Sequence, residues 1–265
     1  MEIYSWAVTT STKAGAEQIE AAIGLAKQYS VAYVPRGKYS LQKLRESHQV
    51  DFLVTVDGNK HVFVEEPSLR WHPSMAIPRF RRLMEGGEDM LLSAAAITEG
   101  DRFLDCTLGL GADALIAAWA VGDSGKVLGL EASPVIALVA GWGIRNEAWR
   151  YNRRKAPMAS AAGRIDVLNE EAGAYLQGQP DASWDVVYFD PMFRAPRNQS
   201  DGMNSLRPFA CYEPFTAELL EDARRVCRKR VVLKERWFSP LFQKLGADFT
   251  MKTKYGPVAY GVWEK

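Results

Sequence analysis

The chain of 265 residues is 47% hydrophobic and 25% charged, with a formal net charge of +1 at pH 7, an ordinary balance for a globular protein with a sizeable core. The near-neutral charge excludes a global attraction to nucleic acid, so any basic surface is local. Three scattered cysteines, Cys106, Cys211 and Cys227, exclude a disulfide framework, and no Cys/His spacing suggests zinc or another metal.

The N-terminus lacks the basic-then-apolar pattern of a signal peptide, and no apolar run approaches a membrane span of roughly 18 residues, which points to a reduced, cytoplasmic protein. Residues 3–9 read as a strand, and 15–29 as a helix with Ala16, Ile19, Ile23 and Ala26 at helical spacing. Val31–Val34 is an apolar run stopped by Pro35, and Leu41–Arg45 a helical turn. Phe52–Val56 and His61–Val64 flank Asp57-Gly58-Asn59 as a hairpin. Residues 1–68 are therefore expected to form a small accessory α/β module that carries no readable chemistry and widens a binding surface.

Residues 69–98 read as a helical connector. Pro67, Pro73 and Pro78 break regular structure until about Arg79; a helix over Arg79–Met84 with Pro78 in its first turn then ends at Gly86-Gly87, and Glu88–Ile97 forms another. Arg79, Arg81 and Arg82 read as a solvated helix face rather than a phosphate site. His72 has no partner in the sequence that would make it a base, and reads as structural.

Over 99–265, apolar runs at 102–105, 127–131, 164–168, 185–189 and 230–234 alternate with helical patterns at 112–121, 134–147, 171–176 and 214–227. That alternation predicts a doubly wound, mostly parallel α/β sheet. The final alternating runs around Tyr255-Gly256-Pro257 predict a C-terminal β-hairpin. Within the first βαβ unit, Gly109 and Gly111 form a turn in which the backbone approaches a ligand closely. The helix that follows offers free N–H groups and a partial positive charge. Glu131, at the tip of the next strand, suits a ribose diol because a carboxylate accepts two hydroxyl hydrogen bonds. Gly109, Gly111 and Ala114, with Glu131 about 20 residues on, equally satisfy the dinucleotide fingerprint of an NAD-dependent dehydrogenase.

Asp105, three residues before the Gly-x-Gly pair, resembles the first-strand acid in motif I of class I S-adenosylmethionine-dependent methyltransferases. The resemblance places Asp105 near the methionine end of S-adenosyl-L-methionine and Glu131 on its ribose. Thr107 and Ala132 join the cofactor set, together with Gly109, Gly111 and Asp190. Asp113 is a further candidate, with complementing the helix dipole as its competing role. Glu171 occupies the place of an adenine-contacting acid, with Glu170 as its rival. An antiparallel last strand belongs to this fold and not to the dehydrogenase fold.

The fourth strand ends Asp190-Pro191-Met192-Phe193, which resembles the (Asn/Asp)-Pro-Pro-aromatic motif of enzymes that methylate exocyclic amines of bases, with Met192 in place of the second proline. An aryl amine is a weak nucleophile because its lone pair is delocalised. A carboxylate and a carbonyl in the proline turn accept its two hydrogens and direct the lone pair, so positioning carries much of the rate. Phe193 stacks on the base, worth roughly 1–3 kcal/mol. Arg194 and Arg197 flank this loop and suit RNA phosphates. Lys234, ending the fifth strand, suits either the substrate or Asp190.

Taken together, WHPSMAIPR, DCTLGLGADALIAA, LEASPVIALVAGWG and VVYFDPMF resemble the bacterial 16S ribosomal RNA guanine-N2 methyltransferase family of the YhiQ type, in patches over residues 70–195. That likeness implies a seven-stranded methyltransferase sheet, S-adenosyl-L-methionine as donor and guanine in ribosomal RNA as acceptor, with no membrane or metal. Residues through Pro67 and the segment RAPRNQSDGMNSLRPFA depart from the family's pattern. A non-catalytic RNA-binding protein retaining the fold is the second alternative, beside the dehydrogenase; the oligomeric state is not legible.

Overall fold

The computed structural model describes residues 4–59, 61–151, 158–191, 206–252 and 256–265. The first sheet is built from β1 (Trp6–Thr10), β2 (Ala32–Tyr33), β3 (Phe52–Val56), β4 (Val62–Val64) and β5 (Leu69–Arg70), in the order β2-β1-β3-β4-β5. Helices α1 (Ala16–Gln28) and α2 (Leu41–His48) connect its parallel strands. The two-residue β5, too short for a periodicity to reveal, closes the edge antiparallel to β4. The second helix runs past the expected turn because Ser40 caps its start, accepting from the Lys43 N–H, and Gln49 ends it in the left-handed conformation.

Two helices, α3 (Ala76–Met84) and α4 (Met90–Ala95), lead to the second sheet. The third helix begins three residues before Arg79. Ser74, at φ 43°, turns the chain, its N–H donating to His72 Nδ1 at 2.8 Å, so Pro78 falls inside the first turn. Exposed His72 thus shapes a helix start.

The second sheet has seven strands. These are β6 (Arg102–Asp105), β7 (Lys126–Leu130), β8 (Ile165–Leu168), β9 (Trp184–Phe189), β10 (Cys227–Arg236), β11 (Phe249–Lys252) and β12 (Val258–Glu264). Their order is β11-β12-β10-β9-β6-β7-β8, parallel except for β12, which inserts antiparallel between β10 and β11. The connecting helices are α5 (Ala112–Ala120), α6 (Pro134–Glu147), α7 (Met158–Ala162), α8 (Ala172–Gln177), α9 (Ala217–Val226) and α10 (Leu241–Lys244). Strand β10 starts directly after α9, longer than its apolar run, with a bulge between Cys227 and Arg230. The cations around this junction are tied down locally: Arg225 of α9 meets Asp181, and Lys229 and Arg230 of β10 meet Asp101 and Glu264.

Parallel register decides where the site lies. Asp105 stands level with Gly129 on β7 and Tyr188 on β9, and Leu233 level with Phe189. Glu131 and Asp190 each follow by two residues, and Lys234 by one, so all four chains leave the sheet at one edge. The central strands are buried on both faces, as continuous apolar runs such as VVYF require. One apolar core joins Trp6, Val8 and Val54 of the first sheet to Phe103 and Tyr188 of the second and to Leu115 of α5. Trp71 links the two: its indole N–H donates to the Leu110 carbonyl at 3.0 Å, and a Cβ at Gly143 would come within 2.0 Å of its Cγ.

Candidate active site

A cavity of about 360 Å³ opens at that edge, lined among others by Asp105, Thr107, Gly109, Glu131, Asp190 and Lys234. Its size lies in the range of small-molecule sites, roughly 300–1,000 Å³. The glycine loop forms one wall. Gly109 has φ 54° and lines the cavity; a Cβ there would only touch Leu206 Cδ1, at an ordinary van der Waals distance of 3.9 Å. Gly111 has φ 79° and starts α5; a Cβ there would meet Ile144 Cδ1 at 2.7 Å. The first glycine thus keeps a ligand surface open, and the second allows close packing.

Glu131 is pinned from two sides, Oε2 accepting from the Gly109 N–H at 3.0 Å and Oε1 from the Ser133 N–H at 2.9 Å. Burial nevertheless pushes its carboxyl up to about 7, against those two hydrogen bonds, with the charge of Glu213 adding to the rise. Asp105 lies at the base of the loop, its Oδ1 accepting from the Thr107 N–H at 3.1 Å. Burial, then the neighbouring Asp113, pushes this carboxyl well above its ordinary range, toward the neutral form. The Thr107 hydroxyl accepts from the Asp190 N–H at 2.6 Å, so the glycine loop and the end of β9 are fastened together.

Behind the cavity runs a chain of charges. Lys234 Nζ donates to Asp190 Oδ2 at 2.6 Å and to Asp113 Oδ2 at 3.0 Å. Asp113 also accepts from the Tyr188 hydroxyl at 2.9 Å and from Arg79, which forks onto Asp89 at 2.8 Å through Nε and Nη2. Burial would neutralise Asp113, but Lys234 and Arg79 outweigh it and hold the carboxyl well below the usual range. Burial likewise opposes charge on Lys234, yet Asp113 and Asp190 keep its ammonium protonated beyond the ordinary lysine value. For Asp190 burial wins, and its carboxyl is raised in spite of Lys234.

Asp105, Thr107, Gly109, Asp113, Glu131, Ala132, Asp190, Pro191 and Lys234 all line this one cavity. Gly111 stands behind it at the start of α5. Glu171 does not line it. It borders an adjoining cavity of about 590 Å³ that shares Ala132, Ala210, Cys211 and Glu213 with the first, and the carboxyl of Glu213 beside it is raised by burial and then by the charge of Glu171. Met192, Phe193, Arg194 and Arg197 lie outside the described residues. Among the described residues no group of His, Cys, Asp or Glu could hold a metal ion, and no helix is long and apolar enough to cross a membrane.

Arg79 departs from the solvated face expected for its helix. Its side chain is 15% exposed and pairs with two carboxylates, while Arg81 and Arg82 face outward. The signal was its spacing from buried Ala76 and half-buried Leu83 on one helix face, which marks a partly buried cation in need of a partner. Tyr188 left no such trace, since its hydroxyl lies within a run that reads as pure core.

Comparison with known proteins bears on this geometry. Residues 68–257 match the family model described as "Putative SAM-dependent methyltransferase". The Bacillus subtilis protein YpiP is 36% identical over 256 residues, 96% of this chain and 98% of that one. Ribosomal RNA small subunit methyltransferase J of Laribacter hongkongensis is 31% identical over 162 residues, covering 59% of this chain and 55% of its own length. The protein of that name from Actinobacillus pleuropneumoniae serotype 5b is 30% identical over 182 residues, with 66% and 68% covered. A solved SAM-dependent methyltransferase from Neisseria gonorrhoeae superposes with a TM-score of 0.57 at 17% identity, over 97% of this chain and 95% of that one, a likeness of fold.

Proposed function

The chain belongs to the S-adenosylmethionine-dependent methyltransferase family, with S-adenosyl-L-methionine as its cofactor, and from that premise we propose that it methylates an exocyclic amino group of a base in RNA, with guanine N2 in small-subunit ribosomal RNA as the favoured acceptor. The nicotinamide reading of Gly109, Gly111 and Ala114 falls with that membership. The residues present fit the cofactor. Gly109 lines the cavity with backbone alone, and the Glu131 carboxyl, held there by the Gly109 and Ser133 N–H groups, is of the type to which a ribose diol donates. When bound, S-adenosyl-L-methionine supplies a methyl group activated on a sulfonium. Glu131 holds the ribose, the Thr107–Gly111 backbone and Ala132 form the wall, and Asp105 marks the methionine end. Glu171 reaches the adenine edge from the adjoining cavity.

Asp190 receives the acceptor. Among the described residues only Lys234 donates to its carboxylate, and it does so at Oδ2. Asp190 accepts a hydrogen bond from one N–H of the base amine, the carbonyl in the Asp190–Pro191 turn accepts one from the other, and the lone pair then points along the line of transfer. The amine becomes strongly acidic only once methylated, so Asp190 need not be a strong base. Phe193 stacks on the base, and Arg194 and Arg197 pair with phosphates. The module of residues 1–68 widens the acceptor surface, and the protein works in the cytoplasm on ribosomal RNA or on assembling subunits.

The observation that carries this reading is the Asp190 carboxylate, fixed by Lys234 in the cavity that also holds Glu131 and Gly109. The test is transfer of a labelled methyl group from S-adenosylmethionine to small-subunit RNA from cells lacking the protein, followed by nucleoside mapping. One N2-methylguanosine is the expected product. Cofactor binding without transfer to any RNA would leave the non-catalytic alternative.

A further inference from the structure

The chain places two aromatic side chains in water just past the end of β10, the strand that brings Lys234 to this cavity. Trp237 is 51% and Phe238 59% exposed, the only adjacent pair among the exposed large apolar side chains of the described residues. Scattered exposed apolar residues are normal, but an exposed contiguous pair marks contact with a partner. Their rings meet edge to face, with centroids 5.6 Å apart and planes at 89°. Each carries a cation. Lys252 Nζ stands 3.8 Å over the Trp237 ring, and the Arg236 guanidinium 5.8 Å from the Phe238 centroid. The indole is thereby oriented, and positive charge is placed beside it.

Position argues for the occupant. Arg236 pairs across the sheet with Val258, which lines the cavity, and the Trp237 backbone N–H donates to the Pro257 carbonyl at 3.0 Å. The aromatic step is therefore continuous with the cavity wall. Trp237 lies three residue steps along the chain from Lys234, the partner of Asp190. At about 3.3 Å per residue that is roughly 10 Å, about three nucleotides at the ~3.4 Å rise of a stacked strand. Exposed aromatic rings with adjacent cations are what unpaired nucleotides require, since every base has a π-face to lay on a ring and every linkage a negative charge. A duplex hides those faces.

We propose that Trp237 and Phe238, with Lys252 and Arg236, form a stacking platform for unpaired nucleotides flanking the acceptor base, so that the target is presented from a single-stranded RNA segment. The proposal rests on the RNA reading above. It adds that strand selection lies in this step at the end of β10.

The experiment uses the full chain and a fluorescein-labelled, unstructured oligoribonucleotide of adenosines and cytidines, followed by anisotropy, with the same strand annealed to its complement as competitor. The single strand is expected to bind more tightly than the duplex. The double variant Trp237→Ala, Phe238→Ala is expected to lose about tenfold or more in affinity, the scale of one lost stack. Trp237→Tyr should retain most binding, and Lys252→Ala should lower the salt slope by about one. Unchanged calorimetric binding of S-adenosylhomocysteine identifies variants that are folded. Equal affinity of the double variant and the unaltered protein, preference for the duplex, or binding of phosphatidylserine vesicles in place of the strand would each overturn the platform. Methylation of ribosomal RNA by a double variant that binds like the unaltered protein would overturn the platform alone. Trp237-dependent strand binding with no transfer to any RNA would overturn the function proposed above and leave the platform standing.

Discussion

Lys234 Nζ lies 2.6 Å from Asp190 Oδ2 and bridges the same carboxylate to Asp113, so one largely buried cation separates two acids that would otherwise face each other. Lys234→Met removes the cation and leaves both acids. Breaking a buried pair from one side costs about 3–5 kcal/mol. The loss is expected in urea unfolding at pH 7, and Lys234→Arg should recover most of it. The loss should shrink on acidification, because the raised Asp190 carboxyl takes up a proton and the repulsion disappears. A Lys234→Met protein as stable as the parent at pH 7 would show that the pair contributes nothing to the fold.

Asp190→Asn keeps the shape of the side chain but turns one oxygen into a donor. Facing a base amine, that donor repels where the carboxylate accepted. Turnover is expected to fall by about a hundredfold or more, the cost of losing a near-attack geometry. S-adenosylhomocysteine affinity should stay within about threefold, because in the proposed site Glu131 and the glycine loop, not Asp190, carry that ligand. Single-turnover methyl transfer paired with calorimetry separates the two effects. Parallel losses in both would place Asp190 in the cofactor site instead.

Much of this architecture was written in periodicity. The helix from Pro134 to Glu147 and the strand from Arg102 to Asp105 lie where their apolar patterns place them, and the antiparallel β12 follows from alternation around Pro257. Glu131 and Asp190 were legible because each acid ends an apolar run, and parallel strands bring such ends to one edge. The charge chain behind them was not legible. Arg79 and Asp113 lie 34 residues apart and meet only because α3 packs on α5, and a basic run on a helix looks solvated until its partner is known. Nor does a sequence distinguish Trp71, a buried clasp, from Trp237, an exposed step, since both follow a strand. Only tertiary packing separates them.

Trp71 carries the next expectation. Its ring fills the space above Gly143 on α6, while its N–H satisfies the Leu110 carbonyl in the glycine loop. Gly143→Ala forces a methyl group into the ring, and overpacking of this kind costs about 1–3 kcal/mol or more. Trp71→Phe removes the N–H and leaves a buried carbonyl unpaired, a loss of about 1–3 kcal/mol. Both should lower the melting temperature. Trp71→Phe should also weaken S-adenosylhomocysteine binding, because Leu110 lies between the two glycines of the loop. Full cofactor affinity in a destabilised Trp71→Phe protein would mean that the clasp serves folding alone.

With Glu131 on the ribose as proposed, the cofactor site is expected to be sensitive to pH. Its carboxyl is pushed from the ordinary 4.5 to about 7, chiefly by burial. A carboxyl raised in the folded state favours the protonated fold. Its contribution to stability is therefore fully present below about 4.5 and is lost as pH rises through about 7. Cofactor binding runs the other way. A ribose diol donates to the ionised carboxylate, so affinity for S-adenosylhomocysteine should rise as pH increases through that same value. At pH near 7 the ligand should then displace about half a proton from the protein. Calorimetric titration in buffers of different ionisation enthalpy reads that release directly. Glu131→Gln cannot titrate. It should bind more weakly by about 1–3 kcal/mol, as for a lost charged hydrogen bond, release no proton and show a flatter stability profile between pH 5 and 8. An affinity in the parent that does not change with pH, with no proton released, would show that Glu131 meets no hydroxyl of the ligand, and the ribose would then have to be held elsewhere in the cavity.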